Sequence, residues 1–474
     1  MSQWPSIAQI ADDVQSGRSK AIDLVSQALK TIDEKKEFDA IIATTEVRAK
    51  ERAAEIDQKI AKGEKVGRLA GVPFIAKDNF LVFGAETTAA SNILKGFNAP
   101  YQSSAIEKLE AEGAICVAKA NLDAFAHGAS TENSDFFTTK NPHDKTRVPG
   151  GSSGGSAASV VLDMAPFALG TDTGGSIRQP ASFSGCVGYK PTYGLVSRSG
   201  VVAMGSSTDV IGPFARTVED AALVLDVMAG KDDMDGTTIE RSEVPYTNLE
   251  GSLKGKKVGI VKEYMGEGLS SEVKTVIEES AEKLKKAGAE IIEVSMPSLP
   301  MALAVYYILC PAEVSSNLAR YDGQRYGYSD KDVKDLDSSY RGSRGKGFGK
   351  EAKRRIMIGT YVLSSGYYDD YYRKAQTVRT KLIKEFTQAF EKVDLLLGPV
   401  APTTAFKIGE NAEDPLQMYL SDVMTVGANL VGCPAISLPA GMANHLPVGL
   451  QLMAPSCHDH ELLIAAKNAQ EVLA

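Results

Sequence analysis

The chain has 474 residues, and its 52 basic and 60 acidic residues give a formal net charge of −8. This acidic balance argues against autonomous nucleic-acid binding, which usually needs a basic surplus. Because no uncharged run reaches the ~18 apolar residues of a membrane span, and the acidic N-terminus has no apolar core, we expect no membrane contact, no signal peptide and a cytoplasmic location.

Apolar residues recur at helical spacing near the N-terminus, which predicts a helical segment over 1–62. Farther along, short apolar runs alternate with helical patterns. The predicted strands are 71–76, 114–118, 166–170, 256–261, 290–294, 393–400 and 434–439. The predicted helices are 104–114, 270–287, 371–391 and 460–473. This alternation predicts an α/β fold with a large mixed, mostly parallel β-sheet covered by helices on both faces, in a single domain over 1–474 on which the N-terminal segment packs.

The stretch 321–355 is the least hydrophobic part of the chain, and seven basic residues and one acidic residue lie within 341–355. Such a basic run is typical of a solvated surface, and we expect a mobile loop over 341–355. Gating of a pocket is a second interpretation of the same charges.

The five cysteines are far apart and mostly in apolar surroundings, so we expect buried, reduced thiols. Near the C-terminus, Cys457, His458, His460 and Glu461 superficially resemble a metal-binding cluster. The chain has no proper ligand spacing elsewhere, and Asp459 is expected to cap the last helix. We therefore expect no metal site in this chain.

Glycine is the compositional outlier, because 13 of the 43 glycines lie within 150–212. They form two clusters, VPGGSSGGSAASVV at 148–161 and ALGTDTGGSIRQPAS at 168–182. The first cluster lacks the lysine of a phosphate-binding loop, and neither cluster has the spacing of a dinucleotide fingerprint. GSSGG in the first cluster matches G-x-S-x-G, which would make Ser153 a nucleophile, but the segment before it is a poor strand.

The second cluster places a tight turn after a predicted strand, with Ser176 at its end. Successive backbone N–H groups of Thr173, Gly174 and Gly175 would converge on an oxyanion beside that serine. No histidine lies near to act as a base, but Lys77, at the end of the first predicted strand, would serve if burial kept its amine neutral. Taken singly, the turn is also typical of a serine-capped glycine turn, and the lysine of one that reaches solvent or pairs with an acid.

Three motifs, taken together, resemble the signature of the amidase signature family in order and spacing: GVPFIAKDNF, GGSSGGSAA and GTDTGGSIRQPA. The resemblance covers nearly the whole chain and is densest in a catalytic core over 71–216. It implies a Ser–cis-Ser–Lys triad, with Ser176 as the nucleophile, Ser152 as a relay with a cis peptide and Lys77 as the base. A lysine base must be neutral near pH 7, which needs a pKa ~3 units below its reference value.

Within that family the sequence is most similar to the branch whose members hydrolyse glutamine as one component of a tRNA-dependent amidotransferase. The closer markers are STENSDF at 130–136, SSTDVIGPFARTVED at 206–220, SSNLARYDGQRYG at 315–327, KRRIMIGTYVLSSGYYDDYY at 353–372 and MYLSDVMTVGANLVGCPAISLPAG at 418–441. The resemblance implies a heterotrimer with two other subunits, in which a partner uses ATP and Mg²⁺ to convert Glu-tRNA(Gln) to Gln-tRNA(Gln) with the released ammonia. It implies no cofactor in this subunit, and tRNA contact mainly through the partner. With tRNA as a ligand of the complex, contact with tRNA becomes a further interpretation of the basic run 341–355.

The resemblance assigns glutamine recognition to two charged residues. Arg355 would pair with the α-carboxylate of glutamine, and Asp422 with its α-ammonium group. The residues alone favour an ion pair on a helix face for Arg355 and a helix cap for Asp422.

One segment, NLDAFAHGAS at 121–130, departs from the usual family pattern. An acid is usual at Ala124, and Met and Ser are frequent at His127 and Ala129, so the departure concerns the wall of the pocket and leaves the triad intact. Two other functions remain open on the sequence: a stand-alone amidase of the same family that acts on a small amide, and a catalytically idle scaffold subunit.

Overall fold

The computed structural model describes residues 3–412 and 414–474 of the chain. Eleven strands of the described residues form one sheet. The strands are β1 (Ile41–Thr44), β2 (Pro73–Lys77), β3 (Ile115–Ala120), β4 (Phe167–Asp172), β5 (Val187–Lys190), β6 (Val210–Ala215), β7 (Lys257–Val261), β8 (Glu290–Val294), β9 (Leu395–Pro399), β10 (Ala435–Ala443) and β11 (Leu446–Met453).

The helices lie between these strands along the chain and pack around the sheet. They are α1 (Ile7–Gln15), α2 (Ala21–Glu34), α3 (Glu46–Ala61), α4 (Ser104–Ala111), α5 (Gly154–Val161), α6 (Arg178–Ser184), α7 (Val218–Met228), α8 (Ser271–Lys286), α9 (Ala302–Asn317), α10 (Leu336–Gly347), α11 (Lys350–Leu363), α12 (Lys374–Phe390), α13 (Pro415–Leu420), α14 (Val426–Val431) and α15 (Asp459–Leu473). A π-helical turn, Asp369–Arg373, leads into α12.

The strands lie in the order β1-β3-β2-β4-β6-β5-β10-β11-β9-β7-β8, which confirms the expected mixed α/β sheet. The share of parallel pairs is smaller than expected: β2 with β3 and β4, and β7 with β8 and β9, are parallel, and the other six pairs are antiparallel. One reason is the hairpin of β10 and β11. The two residues that join them, Asn444 and His445, have left-handed φ angles of 52° and 65°, as tight hairpin turns require.

Two neighbouring parallel strands, β2 and β4, position the candidate site. Every residue of both strands is buried, as expected for strands covered on both faces. Ala76 of β2 pairs with Leu169 of β4, so the carboxyl ends of the two strands lie at the same edge of the sheet. Lys77 ends β2 at this edge, and Asp172 ends β4.

The N-terminal segment contains the predicted helices as α1, α2 and α3, and it also contains one strand that the helical pattern did not predict. This strand, β1, pairs antiparallel with β3, with Ile41 opposite Ala120. The segment therefore contributes the edge of the sheet nearest to β2.

The prediction of a mobile loop over 341–355 is wrong, because the end of α10 and the start of α11 occupy this stretch. The Asp335 carboxylate caps α10 and accepts a hydrogen bond from the Ser338 N–H at 2.7 Å. Lys346 pairs at 2.7 Å with Asp330. Asp330 lies outside the run 341–355 in which the charges were counted, so that count did not reveal the pairing. The basic residues are therefore partly neutralised on helices.

One apolar segment, Leu299–Arg320, which contains α9, is long and apolar enough to cross a membrane by length and composition, with a mean hydropathy of 1.3. Half of it is buried against the rest of the chain. Core helices that never contact a membrane pass the same test, and α9 packs here on α11 and α12.

Candidate active site

Lys77 is the last residue of β2, and its side chain is completely buried. Its Nζ lies 2.8 Å from the Ser152 hydroxyl, 2.8 Å from the Ser153 hydroxyl and 2.9 Å from the Thr171 hydroxyl. Burial lowers the pKa of Lys77 to about 7, although nearby carboxylates act in the opposite direction. About half of the amine is therefore neutral at pH 7, and a neutral amine is a proton acceptor.

Ser152 lies in the loop before α5, and the Gly151–Ser152 peptide bond is cis, as the family resemblance implies. The Gly151 N–H donates to Gln179 Oε1 at 2.9 Å, and the Ser152 carbonyl accepts from the Asp123 N–H at 3.2 Å. A Cβ at position 151 would lie 2.3 Å from Asp123 Oδ2. The loop therefore approaches the segment after β3 so closely that only glycine fits there.

Ser176 lies in the turn between β4 and α6 and is 7% exposed. Its carbonyl accepts from the Ser153 N–H at 3.3 Å, which joins this turn to the loop before α5. Gly175 has a φ of 137°, and a Cβ there would lie 2.1 Å from Thr425 Oγ1. Within residues 3–412 and 414–474, the amide N–H groups of Gly174 and Gly175 donate to no acceptor. They are available to an oxygen atom held beside Ser176.

A buried ion pair holds both ends of the Ser176 turn. Asp172 at the end of β4 and Arg178 at the start of α6 are fully buried and lie 2.9 Å apart. The Asp172 carboxylate also accepts from the Ile177 N–H at 3.1 Å and from Asn429 Nδ2 at 2.9 Å. Burial alone would raise the pKa of Asp172, but the Arg178 guanidinium outweighs it and the pKa falls to about 2. The turn is therefore anchored by a carboxylate that stays ionised near neutral pH.

Arg355 lies on α11 and is buried. Its Nε donates to Glu351 Oε1 at 2.8 Å, which is the helix-face ion pair considered from the sequence. The guanidinium carbon also lies 5.3 Å from the centre of the Tyr307 ring and 5.7 Å from that of Tyr419. In the described part of the chain, Arg355 Nη1 has no hydrogen-bond partner. The ion pair thus leaves the buried Nη1 of Arg355 available to a ligand.

Asp422 follows α13, and its Oδ2 accepts a hydrogen bond from the Tyr307 hydroxyl at 2.8 Å. The helix-cap interpretation is wrong for this side chain, because only the Asp422 carbonyl accepts from the N–H groups of Thr425 and Val426 at the start of α14. Burial raises the pKa of Asp422 to about 7, although Tyr307 and Arg355 act in the opposite direction. A bound ammonium group would favour its ionised form.

Thr425 connects Asp422 with the Ser176 turn. Its hydroxyl donates to the Gly174 carbonyl at 2.6 Å and lies 3.0 Å from the Asp422 carbonyl. From the other side, Tyr306 on α9 approaches Gly174, where a Cβ would lie 2.6 Å from the tyrosine ring. The two charged residues and the serine turn therefore belong to one site, although they are distant in sequence.

The suspected cluster near the C-terminus has another structural role. Among the residues that the structure describes, no group of three or more His, Cys, Asp or Glu side chains is arranged to hold a metal ion. Asp459 does not cap the last helix: it is the first residue of α15, and its carboxylate accepts from the Tyr189 hydroxyl at 2.7 Å and the Thr192 N–H at 2.9 Å. All five cysteines are free thiols, and four are buried as expected, whereas Cys457 is exposed.

Sequence reasoning missed several polar side chains of the site. Thr171 and Arg178 lie inside the second glycine motif, and a threonine at the end of a buried strand was the available signal. The G-x-S-x-G match treats Ser153 as an elbow nucleophile, yet in the described chain no strand lies between the end of β3 and α5. Nothing in the apolar helical run around Tyr307 marks that residue as part of a site.

Comparison with known proteins places the chain among amidases. The sequence model of the family described as Amidase matches residues 23–463. The A-type subunit of glutamyl-tRNA(Gln) amidotransferase from Thermoanaerobacter pseudethanolicus is 50% identical over 463 residues, which are 97% of this chain and 95% of that protein. The protein of the same name from Caldanaerobacter subterraneus subsp. tengcongensis is 52% identical over 441 residues, which are 93% of this chain and 90% of that protein.

Solved structures share the fold. The crystal structure of the A-type subunit of glutamyl-tRNA(Gln) amidotransferase from Thermotoga maritima matches with a TM-score of 0.79 and 40% identity, over 94% of this chain and 91% of that one. A bacterial aryl acylamidase of the amidase signature family matches with a TM-score of 0.87 but 25% identity, over 99% of this chain and 96% of that one. The fold is thus common to amidases with different substrates, and the higher identity is with the amidotransferase subunits.

Proposed function

Because this chain belongs to the amidase family, we propose that it is the glutaminase subunit of a tRNA-dependent amidotransferase. It hydrolyses glutamine to glutamate and ammonia, and the ammonia serves to convert Glu-tRNA(Gln) to Gln-tRNA(Gln). Support for this substrate over a small amide comes from about 50% identity, over nearly the full length, with proteins named as components of glutamyl-tRNA(Gln) amidotransferases.

The observation that carries the mechanism is the 2.8 Å contact between the buried Lys77 amine and the Ser152 hydroxyl. Neutral Lys77 accepts the proton of Ser152, which in turn takes the proton of the Ser176 hydroxyl. The Ser176 oxygen attacks the carbonyl carbon of the glutamine side-chain amide. The C–N bond then breaks while the nitrogen takes the proton back through Ser152, and ammonia leaves. Water attacks the resulting ester by the same relay and releases glutamate.

The Ser176 turn supplies the stabilisation of the tetrahedral intermediate. In the proposed mechanism its oxyanion accepts from the backbone N–H groups of Thr173, Gly174 and Gly175. One such preorganised donor is typically worth about 2.7–4 kcal/mol of barrier. The Asp172–Arg178 pair keeps the turn in place while the charge develops.

Two buried charges select glutamine among amides. Arg355 binds the α-carboxylate through the nitrogen that Glu351 leaves unpaired, and Asp422 binds the α-ammonium group. An amide that lacks both charges gains neither interaction, so we expect it to bind more weakly.

The acceptor of the ammonia lies on a partner. We propose a heterotrimer with two other subunits in the cytoplasm, in which ATP and Mg²⁺ bind at a partner that also makes most contacts with Glu-tRNA(Gln). The net charge of −8 supports this division of labour. An exposed aromatic cluster on α11 and the following turn is the type of surface that protein partners cover; its members are Tyr361, Tyr367, Tyr368 and Tyr371.

Labelling and mutation of the serines test the mechanism. Ser176→Ala should lower glutamine hydrolysis at least ~10³-fold without loss of folding, and the exposed control Ser365→Ala should keep full activity. An electrophilic glutamine analogue, followed by peptide mapping, should label Ser176 and leave Ser153 unmodified. Full turnover by Ser176→Ala, or a label on Ser153, would refute the assignment.

The partner requirement is tested separately. The chain should copurify from its native cell with two other subunits, and Glu-tRNA with ATP should stimulate its glutaminase activity. A stand-alone amidase would instead work at full rate alone, and an idle scaffold would react with no glutamine analogue.

A further inference from the structure

His127 lies in a fixed turn directly after β3. Phe125 and Ala126 before it have left-handed φ angles of 55° and 64°. Asn133 Nδ2 donates to the His127 carbonyl at 3.0 Å, and the Asn133 N–H donates to the Asp123 carboxylate at 3.0 Å. These contacts hold the backbone at His127 in one conformation.

The same turn braces the loop of Ser152. The Asp123 N–H donates to the Ser152 carbonyl at 3.2 Å. Gln179 Nε2 donates to the Ala129 carbonyl at 2.9 Å, and Gln179 Oε1 accepts from the Gly151 N–H, also at 2.9 Å. His127 lies in sequence between these two anchor points, so its backbone belongs to the wall of the proposed active site.

The imidazole of His127 is completely buried, yet neither Nδ1 nor Nε2 has a hydrogen-bond partner among residues 3–412 and 414–474. Unpaired buried polar groups are unfavourable and call for a partner. Arg355 Nη1 is buried and unpaired in the same way, and the Arg355 charge acts electrostatically on the imidazole. Two buried polar groups without a partner, one of which acts on the other, point to a ligand that the chain itself does not supply.

The chemistry of the His127 imidazole and of Arg355 Nη1 restricts the chemical class of the ligand. Burial, and after it the Arg355 charge, holds the pKa of His127 well below its usual value of 6.5. The imidazole is therefore neutral near pH 7 and presents one N–H donor. A carboxylate has two oxygens and accepts from a guanidinium and from a second donor at once.

We propose that His127 is a specificity-determining residue whose imidazole N–H donates to the α-carboxylate of the bound amino-acid amide, beside Arg355 Nη1. This inference rests on the proposed function, because it takes glutamine as the ligand. A methionine, frequent at this position in the family, would fill the space without that hydrogen bond.

Kinetics of the chain with its partner subunits test the hydrogen bond. His127→Met should raise KM for L-glutamine about tenfold and change kcat less than about twofold, because the contact exists equally before and during the reaction. KM for 4-aminobutanamide, which lacks the α-carboxylate, should not change. His127→Gln keeps an N–H donor and should restore KM to within about threefold of the parent value. The exposed control His458→Met should match the parent protein.

A binding readout separates this role from a structural one. The chain has five histidines, so ¹⁵N-histidine labelling of the Ser176→Ala protein gives few signals, and the His127 signals are those missing from the His127→Met spectrum. L-glutamine should shift them, and His127→Met should raise Tm without ligand because it removes an unpaired buried group. Unchanged His127 signals at saturating glutamine, or an equal rise in KM for both amides, would overturn the inference. Failure of the parent complex to hydrolyse glutamine would overturn the proposed function as well.

Discussion

The pH dependence of glutamine hydrolysis tests the roles of Lys77 and Asp422 together. Lys77 acts as a base only when it is neutral, and Asp422 binds an ammonium group only when it is ionised. Burial brings both pKa values to about 7, from above for the lysine and from below for the acid. In both cases the productive form is the deprotonated one, so we expect the rate to increase as the pH rises through 7.

The size of the effect follows from the two pKa values. About half of each group is productive at pH 7 and about 1% at pH 5. Protonation of Lys77 alone lowers kcat/KM about 50-fold between these pH values, and protonation of both groups lowers it about 2,500-fold. Asp422→Asn removes one of the two titrations, so its plot of log kcat/KM should rise with a slope of about one below pH 6, where the parent protein has a slope of about two.

Initial rates of ammonia release at subsaturating glutamine, from pH 5 to 8.5 at constant ionic strength, measure both profiles. A thermal unfolding curve at each pH shows that the protein stays folded. The reasoning is wrong if the parent profile is flat between pH 5 and 7, or if Asp422→Asn leaves its steepness unchanged. The same slope of one is expected for the parent protein with an amide that has no ammonium group.

Three further substitutions follow from the buried charges. Arg355→Ala should raise KM for glutamine ~10-fold or more and leave KM for uncharged amides nearly unchanged, which steady-state kinetics with both substrates measures. Asp172→Asn leaves Arg178 buried without its partner and should lower the free energy of unfolding by ~3–5 kcal/mol in urea titrations. Lys119 Nζ lies 2.6 Å from Asp78, with both side chains fully buried, so Lys119→Met should destabilise by a similar ~3–5 kcal/mol, and an unchanged urea midpoint would contradict this.

The local pattern of apolar residues predicted those strands whose apolar residues form a continuous run. The predicted strand 290–294 coincides with β8, and 256–261 differs from β7 by one residue. β1 was missed because four residues with little alternation, inside a helical segment, carry too weak a signal. The strand pairings could not be predicted either, because they join segments distant in sequence, such as β4 with β6 and β5 with β10.

The candidate site likewise has a part that the sequence predicts and a part that only the structure shows. The motifs identify Lys77, Ser152 and Ser176, and the structure brings their segments together. The environment of these residues depends on contacts from far along the chain: Thr425 donates to the Gly174 carbonyl of the Ser176 turn across 251 positions of sequence. The sequence gives no sign that the imidazole of His127 lacks a partner, because that depends on what surrounds it in three dimensions.

Lys77 makes catalysis and stability oppose each other. Its folded-state pKa, about 7, lies below the ~10.4 of an exposed lysine, so the unfolded chain binds more protons between these pH values. Stability therefore rises with pH across that window, and below pH 7 the fold bears the full cost of the buried charge. Asp172 has a pKa of about 2, below the ~3.9 of an exposed acid, so stability again rises with pH, here between about pH 2 and pH 4. Near neutral pH, however, ionised Asp172 paired with Arg178 stabilises the fold, whereas the low pKa of Lys77 reflects a destabilising buried amine. Because β4 lies directly beside β2, this pair offsets, at the same edge of the sheet, part of the instability that a neutral lysine base requires.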